Sequence, residues 1–249
     1  SKMALGNRGG AYPWWKYLQR PEPDLDDFYE IERRCETASA CVFLVSTKKT
    51  IKYKNNSIEN ADIVAVSHDY DQIKSFELRM GRYFTAWEAE SGKNIAIIGE
   101  VIAYHLFGRE NPMGKMIKLG GTKATVIGVF KYEGEDIFEM SPDNQVVLPV
   151  QFAKTFIQIK QREEAMIMVK AIAGVSNVRL MDDLRVIMRS IRKLKPLADD
   201  NFALNEITLI SNILDNLFSV ISLAGWIIGG FSILAGGFGT RLKDVLPGC

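Results

Sequence analysis

Apolar residues recur at helix or strand spacing along the first third of the chain and predict one helix followed by two strands. The apolar residues of the helix share one face: Leu25, Phe28 and Ile31. Asp24 stands at the position of a capping side chain before that helix. The segment 38–55 is rich in β-branched and aromatic residues and predicts a strand with a bend at Lys48–Lys49. A turn at 55–57 and a second strand at 62–67 follow.

A short buried strand at 95–98 is predicted to lead through a tight turn into a helix. Gly99 permits the turn, and Gly108 ends the helix as a C-cap. Apolar residues form a stripe along this helix: Val101, Ile102 and Leu106. We expect His105 to join the stripe as a partly buried packing residue rather than as a metal ligand, because no second ligand is near it.

The glycine-rich stretch LFGRENPMGKMIKLGG, residues 106–121, is similar in composition to a phosphate-binding loop but lacks the spacing and the residues that such a loop requires. Five residues instead of four separate Gly108 from Gly114, and Pro112 interrupts the loop. The Gly-Lys pair is followed by Met116 rather than by the Ser or Thr that would hold magnesium. These glycines are therefore predicted to serve backbone geometry.

Alternating apolar and polar residues predict a hairpin directly after this loop. Its first strand covers 116–119, and Gly120-Gly121 supplies the turn signal. The second strand covers 124–130, where Gly128 marks a position for a β-bulge. Gly114 permits the bend that leads into the first strand.

The last third of the chain predicts two strands and its clearest amphipathic helix. The strands are 145–150 and 165–171, and the helix covers 176–195. Its apolar positions recur at helical spacing: Val178, Met181, Leu184, Ile187 or Met188, Ile191 and Leu194. Basic residues take the other positions and suit the C-terminal end of the helix dipole: Arg185, Arg189, Arg192, Lys193 and Lys195. Pro196 ends the helix, and 201–207 fits a last strand.

Residues 216–240 carry no charged side chain and are long enough to span a bilayer core. Glycines are frequent here, as they are in membrane helices: Gly225, Gly229, Gly230, Gly236, Gly237 and Gly239. A buried core helix is the alternative, but such helices rarely run this long without a charge. Because Arg241 and Lys243 follow at once, the positive-inside rule places the C-terminal tail in the cytoplasm and residues 1–206 outside.

The composition is that of an ordinary globular protein with room for one large domain or two small ones. The chain has 249 residues, of which 47% are hydrophobic and 24% charged. Its formal net charge of +1 provides no basic footprint, which argues against nucleic acid as a partner.

Histidines, cysteines and acidic residues do not predict a metal site. The first two residue types have no zinc-ligand spacing: His68, His105, Cys35, Cys41 and Cys249. Cys35 and Cys41 could form a disulfide, although two small buried thiols are favoured. The acidic loop 133–139 lacks calcium-loop spacing and is predicted to be a solvated surface.

No catalytic constellation appears along the chain. There is no Gly-x-Ser-x-Gly nucleophile elbow, no HExxH helix and no acid pair in a distinctive setting. We therefore assign no catalytic, cofactor-binding or metal-binding residue and predict no cofactor. The expectation is a protein that is not an enzyme.

The segment from Gly81 to Phe130 resembles the extracytoplasmic core domain of MacB-like ABC transporter permeases. The matching residues are Gly81, Arg82, Phe84, Ile98, Gly99, Leu106, Phe107, Gly108, Asn111, Pro112, Gly114, Lys115, Ile117, Val126, Ile127, Gly128 and Val129. The stretches DIVAVSHDY before them, QVVLPV after them and the glycine-rich span near the end are also similar to the family. The resemblance covers roughly residues 25–239.

The resemblance implies an α+β fold in which a porter-like α/β subdomain contains an inserted, mainly β subdomain, followed by a C-terminal transmembrane helix. It implies this division of the chain: an aromatic and Pro-rich segment 1–23, porter-like parts 24–94 and 171–206, the insert 95–170, the transmembrane helix with its lead-in 207–240, and the tail 241–249.

The resemblance also implies a function in export. Such a domain belongs to a permease of the bacterial inner membrane, lies in the periplasm and transmits ATP-driven motion that extrudes substrates. The implied partners are a cytoplasmic ABC ATPase, which hydrolyses the ATP, and a second permease subunit in a homo- or heterodimer. Membrane lipid is a further partner. Some relatives also act with a periplasmic adaptor and an outer-membrane channel. A membrane-anchored binding or sensor module without transport is the alternative.

Overall fold

The computed structural model describes residues 21–134, 142–157 and 164–206. The chain divides into two units, Ser1–Ala203 and Leu204–Cys249. All elements described below lie in the first unit.

Six α-helices and eight strands occur in the described residues. The helices are α1 Leu25–Arg34, α2 Tyr70–Ile73, α3 Ala86–Glu90, α4 Glu100–Phe107, α5 Val150–Ala153 and α6 Asn177–Ile191. The strands are β1 Ala38–Tyr53, β2 Asn56–Val66, β3 Leu78–Gly81, β4 Ile95–Ile98, β5 Met116–Leu119, β6 Thr122–Phe130, β7 Gln145–Pro149 and β8 Glu164–Ala171. A 3-10 turn, Pro142–Asn144, precedes β7.

All eight strands belong to one sheet, in which the sequence of strand pairings closes on itself. The order runs β2-β7-β4-β6-β5-β1-β8, and β1 also pairs with β2. Six strands therefore form a closed circuit, while β3 adds to β6 and β8 adds to β1. The β2–β7 and β4–β6 pairs are parallel, and the others are antiparallel.

One core cluster combines side chains of the sheet with aromatic rings from the connections between strands. Its buried members are Val42, Leu44, Val64, Val66, Tyr70, Phe84, Ala89, Ile95, Ile97, Phe130 and Val147. Complete burial of one aliphatic or phenyl side chain stabilises a fold by about 1.5–3 kcal/mol. This cluster therefore ties β1, β2, β4, β6 and β7 to one another.

Helices α1 and α6 pack together through their apolar faces. Leu25, Phe28 and Ile31 are buried on α1, as predicted, and the ring of Phe28 lies 6.2 Å from that of Phe43 on β1. On α6 the buried residues are Leu180, Leu184, Ile187 and Met188. Val178 was wrongly placed on the apolar face: it is 68% exposed, because the buried face of α6 begins only at Leu180.

Several local predictions are confirmed. Asp24 caps α1, and the long strand β1 has a register irregularity between Lys49 and Ile51, where the bend was predicted. The β4–β6 pairing skips one residue before Gly128, which confirms the bulge.

The mixed α+β class is confirmed as well. One continuous sheet includes strands from both predicted subdomains, and the boundaries 24–94, 95–170 and 171–206 stay a prediction.

Three other predictions are wrong in part. Strand β2 begins at Asn56 rather than near Asp62, because its polar start pairs with the end of β1 in a hairpin. His105 is exposed, since the buried side of α4 consists of Ile102, Ala103, Leu106 and Phe107. Residues 201–206 form no strand.

The predicted membrane span 216–240 lies outside the described residues, as does most of the acidic loop. No helix within residues 21–134, 142–157 and 164–206 has both the length and the apolar character needed to cross a membrane.

Candidate functional site at the junction of the two chain ends

No group of three His, Cys, Asp or Glu side chains within the described residues could hold a metal ion. Cys35 and Cys41 are buried free thiols, so the disulfide alternative is wrong. Burial raises the pKa of Cys41 to about 12, which leaves its thiol protonated and unreactive. The strongest structural feature is instead the place where the two ends of the domain meet.

The incoming segment, residues 21–24, is fixed to the first turn of α1 by a capping box. The Asp27 amide donates to Asp24 Oδ1 at 2.9 Å, and the Asp24 amide donates to Asp27 Oδ2 at 3.2 Å. Asp27 is only 4% exposed, so its carboxylate needs a partner inside the protein. The capping box therefore places a buried negative charge at the start of α1.

Arg192, which directly follows α6, supplies the positive charge. Its guanidinium forms an ion pair with Asp27 Oδ2 and donates to the Glu22 carbonyl at 3.3 Å. At the other end of α1, Arg34 donates to Ser190 Oγ at 3.2 Å. The last turn of α6 is thus bonded to both ends of α1 and to the incoming chain.

This buried ion pair positions the helices more than it stabilises them. Burial raises the pKa of Asp27, while its hydrogen bond with Asp24 and the charge of Arg192 oppose this with smaller effects. A raised pKa means that this carboxyl contributes most to stability when protonated, and that the contribution decreases as pH rises through the folded pKa. Removal of one partner nevertheless lowers the free energy of unfolding, because the other charge is left buried without a counter-charge.

The outgoing segment, residues 192–203, is held against α6 by Arg189. Its guanidinium donates to the carbonyls of Lys195 at 2.7 Å, Ala198 at 2.9 Å and Pro196 at 3.1 Å. It also pairs with Asp200, which Arg185 contacts at 3.3 Å. One side chain therefore fixes the outgoing backbone over the turn that follows α6. We call α1, α6 and the segments 21–24 and 192–203 the chain-end junction.

A family model described as the MacB-like periplasmic core domain matches residues 4–187. This chain belongs to that family. The resemblance inferred from the motif at 81–130 is confirmed.

Two relatives illustrate how much of a transporter the chain covers. A macrolide export ATP-binding/permease protein MacB from Bdellovibrio bacteriovorus is 25% identical over 218 residues, 86% of this chain and 33% of that protein. The corresponding protein from Marinobacter nauticus is 24% identical over 234 residues, 93% of this chain and 34% of that protein. The chain thus spans about a third of the length of the curated relatives it matches.

Two solved structures show the same fold. The periplasmic region of MacB from Actinobacillus actinomycetemcomitans superposes with a TM-score of 0.64 at 17% identity, covering 80% of this chain and 84% of that one. The extracellular domain of the noncanonic ABC-type transporter YknZ from Gram-positive bacteria gives 0.59 at 20% identity, covering 70% and 86%.

The glycines of the family motif provide backbone turns in this MacB-like domain. Gly108 and Gly114 adopt φ of +60° and +73°, which confirms that these glycines provide turns. Between them, Glu110 accepts hydrogen bonds from Tyr53 at 3.1 Å and Lys54 at 3.0 Å, and pairs with Lys115 at 3.1 Å. Lys54 and then Lys115 lower the pKa of Glu110 to about 2. The loop is thereby attached to the tip of the β1–β2 hairpin.

The arginine of the motif has a similar structural role in the family fold. Arg82 donates from both terminal nitrogens to Glu88, at 2.7 and 2.8 Å, and Lys93 adds a bond at 3.2 Å. Glu88 also accepts from the Thr85 amide in the capping box of α3. Arg82 above all holds the pKa of Glu88 well below its usual range. The carboxylate of Glu88 is therefore stabilised at the N-terminus of α3, where it takes part in the cap.

Sequence reasoning missed the junction arginines of this MacB-like domain. It treated Arg189 and Arg192 as basic positions suited to the helix dipole, yet their side chains are only 23% and 16% exposed. Their partners could not be recognised, because Asp27 is far away in sequence and Asp200 follows a proline-containing turn. An arginine spaced with the apolar positions of an amphipathic helix, as Arg192 is with Met188, was the available signal.

Proposed function

We propose that this chain provides the periplasmic domain of an inner-membrane ABC permease and transmits ATP-driven motion to the export of a substrate. The domain itself carries out no chemistry, and ATP hydrolysis occurs in a partner ATPase. Relatives named as export ATP-binding/permease proteins support this proposal, and the substrates in their names include macrolides and pyoverdine.

The observation that carries the proposal is the chain-end junction. A domain that passes on motion must connect its incoming and outgoing segments rigidly, because a flexible connection would absorb the displacement. Arg192 bonds the incoming carbonyl of Glu22 and α1, and Arg189 bonds the outgoing backbone. A displacement of either segment would therefore move α1 and α6 together.

The remaining parts of the proposal follow from the predicted arrangement in the membrane. Residues 207–240 provide the membrane helix after the junction, and the porter-like and inserted subdomains lie outside the cytoplasm. The permease acts as a homo- or heterodimer with its ATPase, together with a periplasmic adaptor and an outer-membrane channel where the cell envelope has them.

Arg189→Gln is expected to uncouple ATP hydrolysis from export. The substitution removes the charge that holds the outgoing backbone without leaving a fully buried carboxylate, since Asp200 is 28% exposed. We expect export to fall by about tenfold while ATP turnover changes by less than about twofold, because allosteric coupling commonly amounts to 5–150-fold. The measurement uses proteoliposomes that contain the complete permease and ATPase, with the macrolide or pyoverdine that the wild type exports.

Arg179→Gln is the matched control, an exposed arginine on the same helix. Hydrogen exchange at residues 195–200 must increase in Arg189→Gln and not in the control. If this increase occurs while export keeps its wild-type rate, the junction does not transmit motion. A chain that never associates with an ATPase would instead favour a membrane-anchored binding module.

A further inference from the structure

Three lysines on adjacent strands stand directly opposite one another on the sheet. Lys52 of β1 is in register with Lys118 of β5, and Lys118 is in register with Lys123 of β6. All three side chains are exposed. Because neighbouring strands lie about 4.8 Å apart, the row places three positive charges at steps of about 5 Å. We call these residues the lysine row.

None of these three lysines forms an ion pair within the described part of the chain. Nearby lysines do have acidic partners: Lys48 pairs with Asp62, and Lys54 and Lys115 pair with Glu110. On the far side of Lys52 the cross-strand neighbour is Ser57. Like charges directly opposite each other destabilise a sheet, and typical surfaces intersperse both signs. The row is thus a local excess of charge in a chain of net charge +1.

Protection of a sheet edge does not explain the row. Lysines often prevent unwanted pairing at exposed edge strands. The central member lies on β5, however, and β5 is paired on both sides, with β1 and with β6. Met116 precedes Lys118 by two residues on the same face of β5 and is 59% exposed. A row of exposed cations beside an exposed apolar side chain, on a strand that is paired on both sides, fits contact with another molecule.

We propose that the lysine row is a docking surface for an acidic segment of a partner protein, with carboxylates repeated along one helix face. Residues three or four apart on a helix are separated by about 5–6 Å, which matches the spacing of lysines across the strands. Anionic lipid is a poorer fit, because mobile lipid headgroups present no fixed row of charges at this spacing.

The test measures binding of a defined probe to the full chain in mild detergent. The probe is a fluorescein-labelled, alanine-based helical peptide with Glu at positions i, i+4 and i+7, and the same peptide with Gln is its control. Fluorescence anisotropy is recorded at low ionic strength. The triple variant K52Q/K118Q/K123Q is expected to bind the Glu peptide about tenfold more weakly, since each exposed ion pair contributes modestly.

The triple variant K154Q/K193Q/K195Q removes the same charge from other exposed positions and is expected to bind within about twofold of the wild type. Loss of like-charge repulsion should leave K52Q/K118Q/K123Q with an unchanged or higher melting temperature, and Lys118→Gln alone should weaken binding by about two- to threefold.

Equal binding by the wild type and the lysine-row variant, or equal weakening in both triple variants, would overturn the proposal. So would binding of the Gln peptide with the affinity of the Glu peptide. Vesicles of phosphatidylglycerol and phosphatidylcholine form a separate arm. Lysine-dependent binding to vesicles without binding to the peptide would assign the surface to lipid and reject an acidic protein partner. Every arm measures binding in vitro and none measures export, so the outcome is independent of export activity.

Discussion

Replacement of Arg192 with methionine is expected to lower the free energy of unfolding by about 3–5 kcal/mol, the usual cost of leaving one charge of a buried pair without its partner. Asp27 is 4% exposed and would retain only the capping bonds of Asp24. The backbone carbonyl of Glu22 would also lose a donor. Urea denaturation of the purified chain, followed by circular dichroism, measures this change.

The controls separate the buried pair from general effects on α6. Arg179→Met replaces an exposed arginine of the same helix and should change the unfolding free energy by no more than about 0.5 kcal/mol. Combining Asp27→Asn with Arg192→Met removes the buried charge and should recover part of the loss. A loss below about 1 kcal/mol for Arg192→Met would show that water already screens the pair.

Gly81→Ala is expected to destabilise the domain by more than about 4 kcal/mol or to prevent folding, which is the range of severe steric and backbone defects. An added Cβ would lie 2.2 Å from the Ile127 carbonyl oxygen and 2.6 Å from Gly128 Cα. The residue also adopts φ of +86°, a conformation unfavourable for alanine. Gly81 is in register with Gly128 on the neighbouring strand, so two motif glycines permit this close pairing of β3 and β6.

Gly114→Ala is the matched control for this prediction. It shares the positive φ, at +73°, but an added Cβ would meet no atom within 4 Å. It should cost only about 1 kcal/mol, the usual penalty of a strained backbone without a clash. Melting temperatures and soluble yield of the two variants, measured side by side, test the comparison. Equal destabilisation by the two substitutions would mean that the neighbouring strand moves away from residue 81 at no cost in free energy.

Much of the local structure was predictable because its signals are local. The cap at Asp24, the Gly99 turn into α4 and the Gly120–Gly121 hairpin each depend on neighbouring residues and are found where the sequence predicts them. The family motif was recognisable for the same reason: its glycines and Arg82 serve turns and a helix cap. These residues identify the fold, and they carry no information about a substrate.

Features that depend on distant partners were not predictable. The polar start of β2 becomes a strand only because β1 pairs with it, and no alternation within residues 56–61 indicates this. Arg192 is buried only because α1 places Asp27 beside it. The lysine row is likewise invisible in sequence, since the strand registers of β1, β5 and β6 create it. In each case tertiary pairing changes the role of a residue whose local pattern suggests solvent.

We expect ATP binding by the partner ATPase to move the chain-end junction. The direct measurement is double electron–electron resonance between a nitroxide on Val178→Cys, which is exposed on α6, and one on the corresponding helix of the second permease subunit. Cys249 is replaced by serine so that the label is specific, and the complete transporter is studied without nucleotide and after trapping with ATP and vanadate. We expect the distance between the two nitroxides to shift by roughly 5 Å, comparable with known switching transitions. The shift should disappear when the P-loop lysine of the ATPase is replaced. Identical distance distributions in both states would contradict a role in transmitting motion.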